Sequence, residues 1–493
     1  MKTANKRAKR LAHTQKRTEK EKDGWIHLEV GGTPYEIGFA HGTLLRRHFK
    51  QVLKVLPFNV AQELKIPYAD YLRDCKRLFG PILEEEEWSF IKEELRGIVA
   101  GASTPGITYD FLVAWNSYLS MCTYYEKNHG SDHNSDHKDK SSEGTVGPKD
   151  HGRCCAFIAT GSATKTGEIV MAHNTHSDFA TGFALNVIMK VNPKDSPVSK
   201  DSNAFVMQTA PGLICSSSDW FLCENGIIGC ETTIANLNYA PEFNKTSVPY
   251  YLRIRKAMQY GKTLDDYVEI MSKRSAGDYA CTWFLGDVNT GEIMMLEDGG
   301  KSIGVERTMN GAFHGCNDAM TQEVSMLSTA RDDKHNPNST TGARNLRMEY
   351  LLFDKYRGQL DTDKAKKILA DHYDVSRSKY RMGKMNICKH TELEGQNKDI
   401  NKDAKNYTNN ETNKDTKKKE GSKGNHGLPF KETLVSLRGA TDGKVIDSAM
   451  AKKMQFEGRM GSSCGRVFRR SDYGLPADVP IPNMPRHKWT KIM

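Results

Sequence analysis

The sequence predicts a layered α+β protein, and two observations carry that reading. Residues 24–125 place apolar side chains at helical spacing, and the pattern changes abruptly at Cys154 to short strand-like runs. From there strands, helices, strands and helices follow in blocks, an order that suits layered α+β rather than alternating βαβ units.

Taken in order, Phe39–Leu64 is expected to be helical through Leu44, Leu45, Phe49, Val52, Leu53 and Leu56, followed by helices over Tyr68–Ala100 and Tyr109–Tyr125. After Cys154, the run CCAFIATGSATKTGEIVMAHNT reads as two strands joined by a turn at Lys165-Thr166-Gly167. Further strands are expected at Ala184–Val191, Phe205–Gln208, Trp220–Leu222 and Ile227–Ile234, then helices at Tyr250–Tyr260 and Thr263–Lys273. A hairpin over Tyr279–Leu296 turns at Asn289-Thr290-Gly291, residues 342–372 return to helical spacing, and TLVSLRG and GKVIDSAMAKKM close the pattern.

The 493 residues carry 71 basic and 61 acidic side chains, a formal charge of +10. Nine Lys/Arg against three acids fall in residues 1–23, so the rest is close to neutral and unsuited to a dedicated nucleic-acid groove. No apolar run approaches a membrane span, and the first 24 residues are polar throughout, so neither a span nor a signal peptide is expected. Eleven cysteines without C-x-x-C spacing point to reduced thiols and a cytoplasmic location.

Three segments have too few apolar residues to offset chain entropy: a basic arm at 1–23, a linker at 126–153 whose one aliphatic residue is Val146, and an Asn/Lys-rich insertion at 391–427. The expected organisation is therefore arm, helical part 24–125, linker 126–153 and a core over 154–493 carrying the insertion.

The linker delivers the chain to Arg153-Cys154-Cys155 at the start of a strand. A thiol there, behind an accessible peptide bond, suits intramolecular attack, and cleavage before it would create an N-terminal nucleophile whose own α-amine, with an ordinary pKa of about 7.7–8.0, acts as base. Cys154-Cys155-Ala156-Phe157-Ile158-Ala159-Thr160-Gly161, continuing through Thr164-Lys165-x-Gly167 to His173-Asn174-Thr175, resembles the nucleophile segment of peptidase family C45. That family contains acyl-coenzyme A:6-aminopenicillanic acid acyltransferase and related autoproteolytic enzymes. The His-Asn-Thr element is also similar to that of phospholipase B-like proteins.

The resemblance extends in order through Gly38-x-x-His41-Gly42, Glu94-Leu95-x-Gly97-Ile98, Ser218-Asp219-Trp220-Phe221, Glu231-Thr232-Thr233, Ala330-Arg331-Asp332, Asn336–Arg344 and Asp442-Gly443-Lys444-Val445 to Cys464-Gly465. It implies a four-layer αββα sandwich of the N-terminal-nucleophile hydrolase type, with cleavage between Arg153 and Cys154 and both products staying associated. It makes Cys154 the nucleophile and Cys155 a replaced Ser/Thr on the opposite strand face.

Asn317 matches the family's oxyanion-hole position. Asp178 resembles the carboxylate beside the nucleophile's amine, while His173 and Asn174 match the His-Asn element. Thr175, Arg331 and Arg344 are the expected substrate contacts, the arginines for a carboxylate or phosphate.

The implied activity is an autoprocessed cysteine amidohydrolase or acyltransferase acting on a small N-acyl compound or peptide. Coenzyme A enters only as an acyl donor, and no bound cofactor, metal or nucleic acid is expected. A phospholipase B-like acyl-ester hydrolase is the enzymatic alternative. Metal capture by His129, His133, His137 and His151, or RNA binding by the arm around Lys6–Arg10, is the non-enzymatic one.

Overall fold

The structure is a computed structural model that describes residues 20–129, 154–193, 201–394 except 218 and 245, and 437–493. The arm before residue 20, residues 130–153 with Arg153, His133, His137 and His151, and most of the 391–427 insertion lie outside the described residues.

Strands β1 (Lys20–Lys22) and β2 (Trp25–Gly31) open the chain. Helices α1 (Pro34–Leu44), α2 (Phe49–Asn59), α3 (Tyr68–Leu83), α4 (Ser89–Ala102), α5 (Tyr109–Asn116) and α6 (Tyr118–His129) follow. Each long helix expected from periodicity is broken. Residues between Leu44 and Phe49 leave helical geometry, and after Pro81 the chain turns at Glu84 and Glu85 and forms a 3-10 turn over Glu86–Trp88 before α4. Apolar spacing survives such breaks because the segments on either side bury the same face.

The remaining strands build two large sheets. The first contains β5 (Val187–Asn192), β6 (Phe205–Thr209), β7 (Trp220–Cys223), β8 (Ile227–Thr233), β9 (Cys281–Asp287), β10 (Glu292–Asp298) and β11 (Ile303–Thr308), in the order β1-β2-β5-β6-β7-β8-β9-β10-β11. The second joins β12 (Gly311–Gly315), β3 (Cys154–Gly161), β4 (Gly167–Asp178), β15 (Arg438–Asp447), β16 (Phe456–Met460) and β17 (Thr490–Ile492), in the order β12-β3-β4-β15-β16-β17. The short pair β13 (Tyr373–Asp374) and β14 (Lys379–Tyr380) stands apart. All pairs in the second sheet are antiparallel; in the first, β2 and β5 run parallel. The segment expected to be helical from residue 24 thus begins by adding a strand to the larger sheet.

The two sheets face each other at Gly286 of β9, where a side chain would meet Ile158 and Ile169 of the smaller sheet. Ala156 and Ile158 share the main core with the larger sheet, while Cys155, Phe157 and Ala159 point away from it. That second face packs against α11 (Thr340–Glu349) and α12 (Thr362–Leu369) through Met348, Ile368 and Leu369. On the far side of the larger sheet lie α8 (Tyr250–Tyr260) and α9 (Leu264–Ser272). Short helices α7 (Phe179–Gly182), α10 (Gln322–Ser328) and α13 (Ser448–Ala451) complete the fold. No helix among the described residues is long and apolar enough to cross a membrane.

Two glycine pairs seat α1 against α4. A Cβ on Gly38 or Gly42 would collide with the Glu94 or Ile98 carbonyl, and one on Gly97 or Gly101 with the Tyr35 or Phe39 carbonyl. The glycines in the two N-terminal motifs therefore permit backbone contact between helices. Opposite effects compete in Gly97→Ala: helix propensity favours alanine by about 1 kcal/mol, but the new methyl group has no space. We expect steric cost to win by about 1–3 kcal/mol, read as a lower denaturation midpoint than wild type.

Candidate active site

Cys154 is the first residue of β3 and is held at both of its backbone polar groups. Its N–H donates to Asn317 Oδ1 at 3.2 Å, and its carbonyl accepts from Arg344 Nη1 at 3.0 Å. The same guanidinium donates to Asn317 Oδ1 at 3.1 Å, closing a small ring of contacts. Asn317 has a positive φ of 74°, a conformation that Asn tolerates better than most residues and that turns its amide back toward β3. Its Nδ2 donates to the Thr233 carbonyl at 2.9 Å. Asn317 therefore faces Cys154 through its oxygen, as an acceptor for the backbone N–H, rather than through the nitrogen that an oxyanion would need.

Antiparallel register places Thr175 directly across from Cys154, Asn174 across from Cys155 and His173 across from Ala156. Residues 154, 173 and 175 consequently share the face turned toward the larger sheet, and 155 and 174 the face turned toward α11 and α12. From the larger sheet, Asp219 and Glu231 approach so closely that a carboxylate oxygen of each and the Cys154 sulfur lie within 4.8 Å of one another. Asp219 enters just before β7 with a positive φ of 59°, and Glu231 is a β8 residue whose Oε1 accepts from the Tyr279 hydroxyl at 2.9 Å.

Burial, then the charges of Glu231 and Asp219, push the Cys154 thiol well above the usual cysteine range; the His176 backbone and Lys444 oppose them. Behind Thr175, the buried Lys444 ammonium contacts Asp442, Thr175 Oγ1 and Gln208 Oε1, each at 2.8 Å. The motif fragments around Asp219, Glu231 and Asp442–Val445 thus meet around Cys154 and Thr175, from the turn before β7 and from β8 and β15.

Cys154 also lines a cleft with Trp115, Leu119, Leu185, Leu213 and Tyr279 among its walls. Trp115 and Leu119 come from the segment before the linker, the others from the chain after it. Asp219 lines the same cleft, so an apolar group in it would meet the thiol and a carboxylate together.

Other expected site residues are placed elsewhere. Asn174 turns away from Cys154 and donates through Nδ2 to the carbonyls of Leu369 at 2.8 Å and Ile387 at 3.2 Å. Asp178, three residues beyond Thr175, caps α7 by accepting from the Thr181 N–H at 2.8 Å. Burial holds His173 neutral, well below its ordinary pKa, and its Nε2–H donates to the Glu231 carbonyl at 2.9 Å. It braces β8 rather than acting on the sulfur. Arg331 pairs with Asp333 near the surface, its side chain 52% exposed. Asp219, Glu231 and Lys444 fall within motif fragments, but no rule of spacing singles them out as partners of Cys154.

Residues 100–300 match the family model of Phospholipase B, a segment that includes Cys154, Asp219 and Glu231. No curated protein sequence matches the chain. Among solved structures, a mutant of the conjugated bile acid hydrolase from Clostridium perfringens is 8% identical, covering 62% of this chain and 89% of that one. Its TM-score is 0.28, too low to carry an argument about this chain.

Cys155 has different electrostatics from its neighbour. Burial raises its pKa, but the hydrogen bond from Cys316 and then the charge of Arg344, whose Nη1 lies 3.3 Å from Sγ, bring it down to about 7. A free thiol in the unfolded chain loses its proton near pH 8.5. Below about pH 7 both states are protonated; between these values only the folded state has released the proton, so stability rises with pH. Relative to Cys155→Ser, wild-type protein should gain stability between pH 7 and 8.5 and hold the gain above it, measured by denaturation across pH. In an Arg344→Gln background that rise should shrink.

Proposed function

We propose that the chain is an acyl hydrolase of the N-terminal-nucleophile kind, made as a precursor and activated at Cys154. The observation that carries the reading is the convergence of Asn317, Asp219 and Glu231 on the first residue of a core strand that borders an apolar cleft. The layering of α8 and α9, two facing sheets, and α11 and α12 supports the four-layer αββα architecture of that class.

In the proposed processing step, a carboxylate of the Asp219–Glu231 pair takes the thiol proton and Cys154 Sγ attacks the Arg153 carbonyl carbon. The C–N bond breaks, the nitrogen of Cys154 receives the proton and becomes an amine, and the acyl group remains on sulfur. Water then hydrolyses the thioester, leaving a carboxylate on Arg153 and a free thiol on Cys154.

The new α-ammonium lies beside Asn317 Oδ1 and the two carboxylates. Its positive charge lowers the thiol pKa that burial and those carboxylates raise in the precursor. The amine then serves as base in turnover, and the apolar cleft takes the acyl chain. Association of the two products is supported by β2 pairing with β5 and by the buried Glu94–Arg255 ion pair between α4 and α8, at 2.8 Å.

Two acyl chemistries fit this site. The thiol and amine suit an amide of a small N-acyl compound or peptide, with a coenzyme A thioester as donor if an amine replaces water. The family-model match over 100–300 favours the second, hydrolysis of a phospholipase B-type ester. Rates on matched fatty-acyl esters and amides separate them.

Wild-type protein should resolve into fragments 1–153 and 154–493, whereas Cys154→Ala should remain one 55.4 kDa chain without activity. Asp219→Asn should slow the appearance of the two fragments by about 100- to 10,000-fold, the usual contribution of a positioned acid–base group. Uncut wild-type protein with full activity would overturn the proposal.

A further inference from the structure

A second cluster of buried thiols and imidazoles lies on the other side of the smaller sheet. His372 follows α12, Cys388 and His390 sit in the segment before residue 395, and Cys464 follows β16. Four ligand-type atoms, one from each residue, lie within 4.8 Å of one another, and all four residues are buried. We propose that His372, Cys388, His390 and Cys464 form a closed structural zinc site.

Ligand spacing carries the proposal. His390 Nε2 is 3.5 Å from the Cys388 sulfur and 3.4 Å from the Cys464 sulfur. In a tetrahedral site with Zn–S near 2.3 Å and Zn–N near 2.0–2.1 Å, sulfur and nitrogen stand about 3.6 Å apart. The observed edges therefore match those of a zinc tetrahedron to within about 0.2 Å.

Orientation of the imidazoles is the second observation. His390 Nδ1 contacts Glu392 Oε1 at 2.8 Å, which directs the Nε2 lone pair at the two sulfurs. This is the carboxylate–histidine arrangement that orients metal-binding imidazoles. The His372 ring packs 5.2 Å from that of His390, and its side chain hydrogen-bonds the Cys464 thiol. Coordination would replace that contact with a metal bond to one His372 nitrogen.

Two thiolates and two imidazoles form a soft set that favours Zn2+ over Mg2+ or Ca2+, and four protein ligands leave no position for substrate water. Binding would leave a neutral Zn(Cys)2(His)2 unit and release the protons that the two sulfurs and His390 hold between them. The site would also brace the back of β4. Ile387, adjacent to Cys388, accepts from Asn174 Nδ2 at 3.2 Å and from His176 Nε2 at 3.0 Å, while Thr175 between them faces Cys154.

The test is metal analysis of the full chain grown with zinc and purified without chelators. Wild type and Cys154→Ala should each hold one zinc per chain, whereas Cys388→Ser and Cys464→Ser should lose it. Retention in Cys154→Ala excludes the Cys154–Asp219–Glu231 cluster as the metal's location. Because the serine variants can fail through misfolding, wild-type protein loaded with Co2+ provides a second readout: tetrahedral d–d bands with thiolate charge transfer. Wild type lacking stoichiometric metal both as purified and after zinc addition would overturn the proposal. So would zinc retained in the Cys388→Ser/Cys464→Ser double variant, or an intact mass two hydrogens light that maps to a Cys388–Cys464 disulfide.

Discussion

The fixed backbone at Cys154 is the constraint on which the rest of the site depends. Asn317 holds its N–H and Arg344 its carbonyl, so the first residue of β3 has a defined direction where a strand end would otherwise fray. Pleating then assigns adjacent thiols to opposite environments. Cys154 faces the inter-sheet side with Asp219 and Glu231, which oppose its ionisation; Cys155 faces Arg344 and Cys316, which favour it. The more acidic thiol is buried among α11 and α12 residues, whereas the other borders the cleft. Position, more than intrinsic acidity, distinguishes the candidate nucleophile.

Placement of Asp219 depends in turn on the N-terminal helices. The loop after β6 is clasped by Trp115 Nε1 and Asn116 Nδ2, which donate to the carbonyls of Pro211 and Gly212, and by His41, whose Nε2 accepts from the Gly212 N–H at 2.9 Å. Arg255 binds Glu94 through both nitrogens and also donates to the Ile214 carbonyl at 2.9 Å. Glycine contacts between α1 and α4 bring His41 and Glu94 close enough to make these bonds. Residues before the linker thus shape both the cleft wall and the loop leading to the carboxylate.

Much of this was legible in the sequence. Cys154 as a strand start, the hairpin of β3 and β4, and the ordered motif fragments all follow from local pattern or resemblance. Strand alternation also separates Cys154 from Cys155. Partner choice was less legible because it depends on sheet-to-sheet packing: Asp178 is nearer to Cys154 in sequence, yet Asp219 reaches its sulfur across the core. Resemblance puts Asn317 beside the nucleophile, but only the turn geometry reveals that its oxygen faces Cys154. The helix breaks near residues 45 and 84 escaped periodicity because flanking turns bury the same face. Cys388-x-His390 has no recognisable metal spacing by itself; His372 and Cys464 join it through tertiary structure alone.

The central claim is that Cys154, as a free N-terminal residue, carries the acyl group during turnover. Its most direct test is to quench processed protein during hydrolysis of a slow fatty-acyl ester and measure the mass of the fragment beginning at residue 154, then sequence its N-terminal peptide. The account predicts a single added acyl group on the Cys154 sulfur, absent when the ester is omitted. Acylation of Cys155 or any other residue, with Cys154 unmodified, would contradict it.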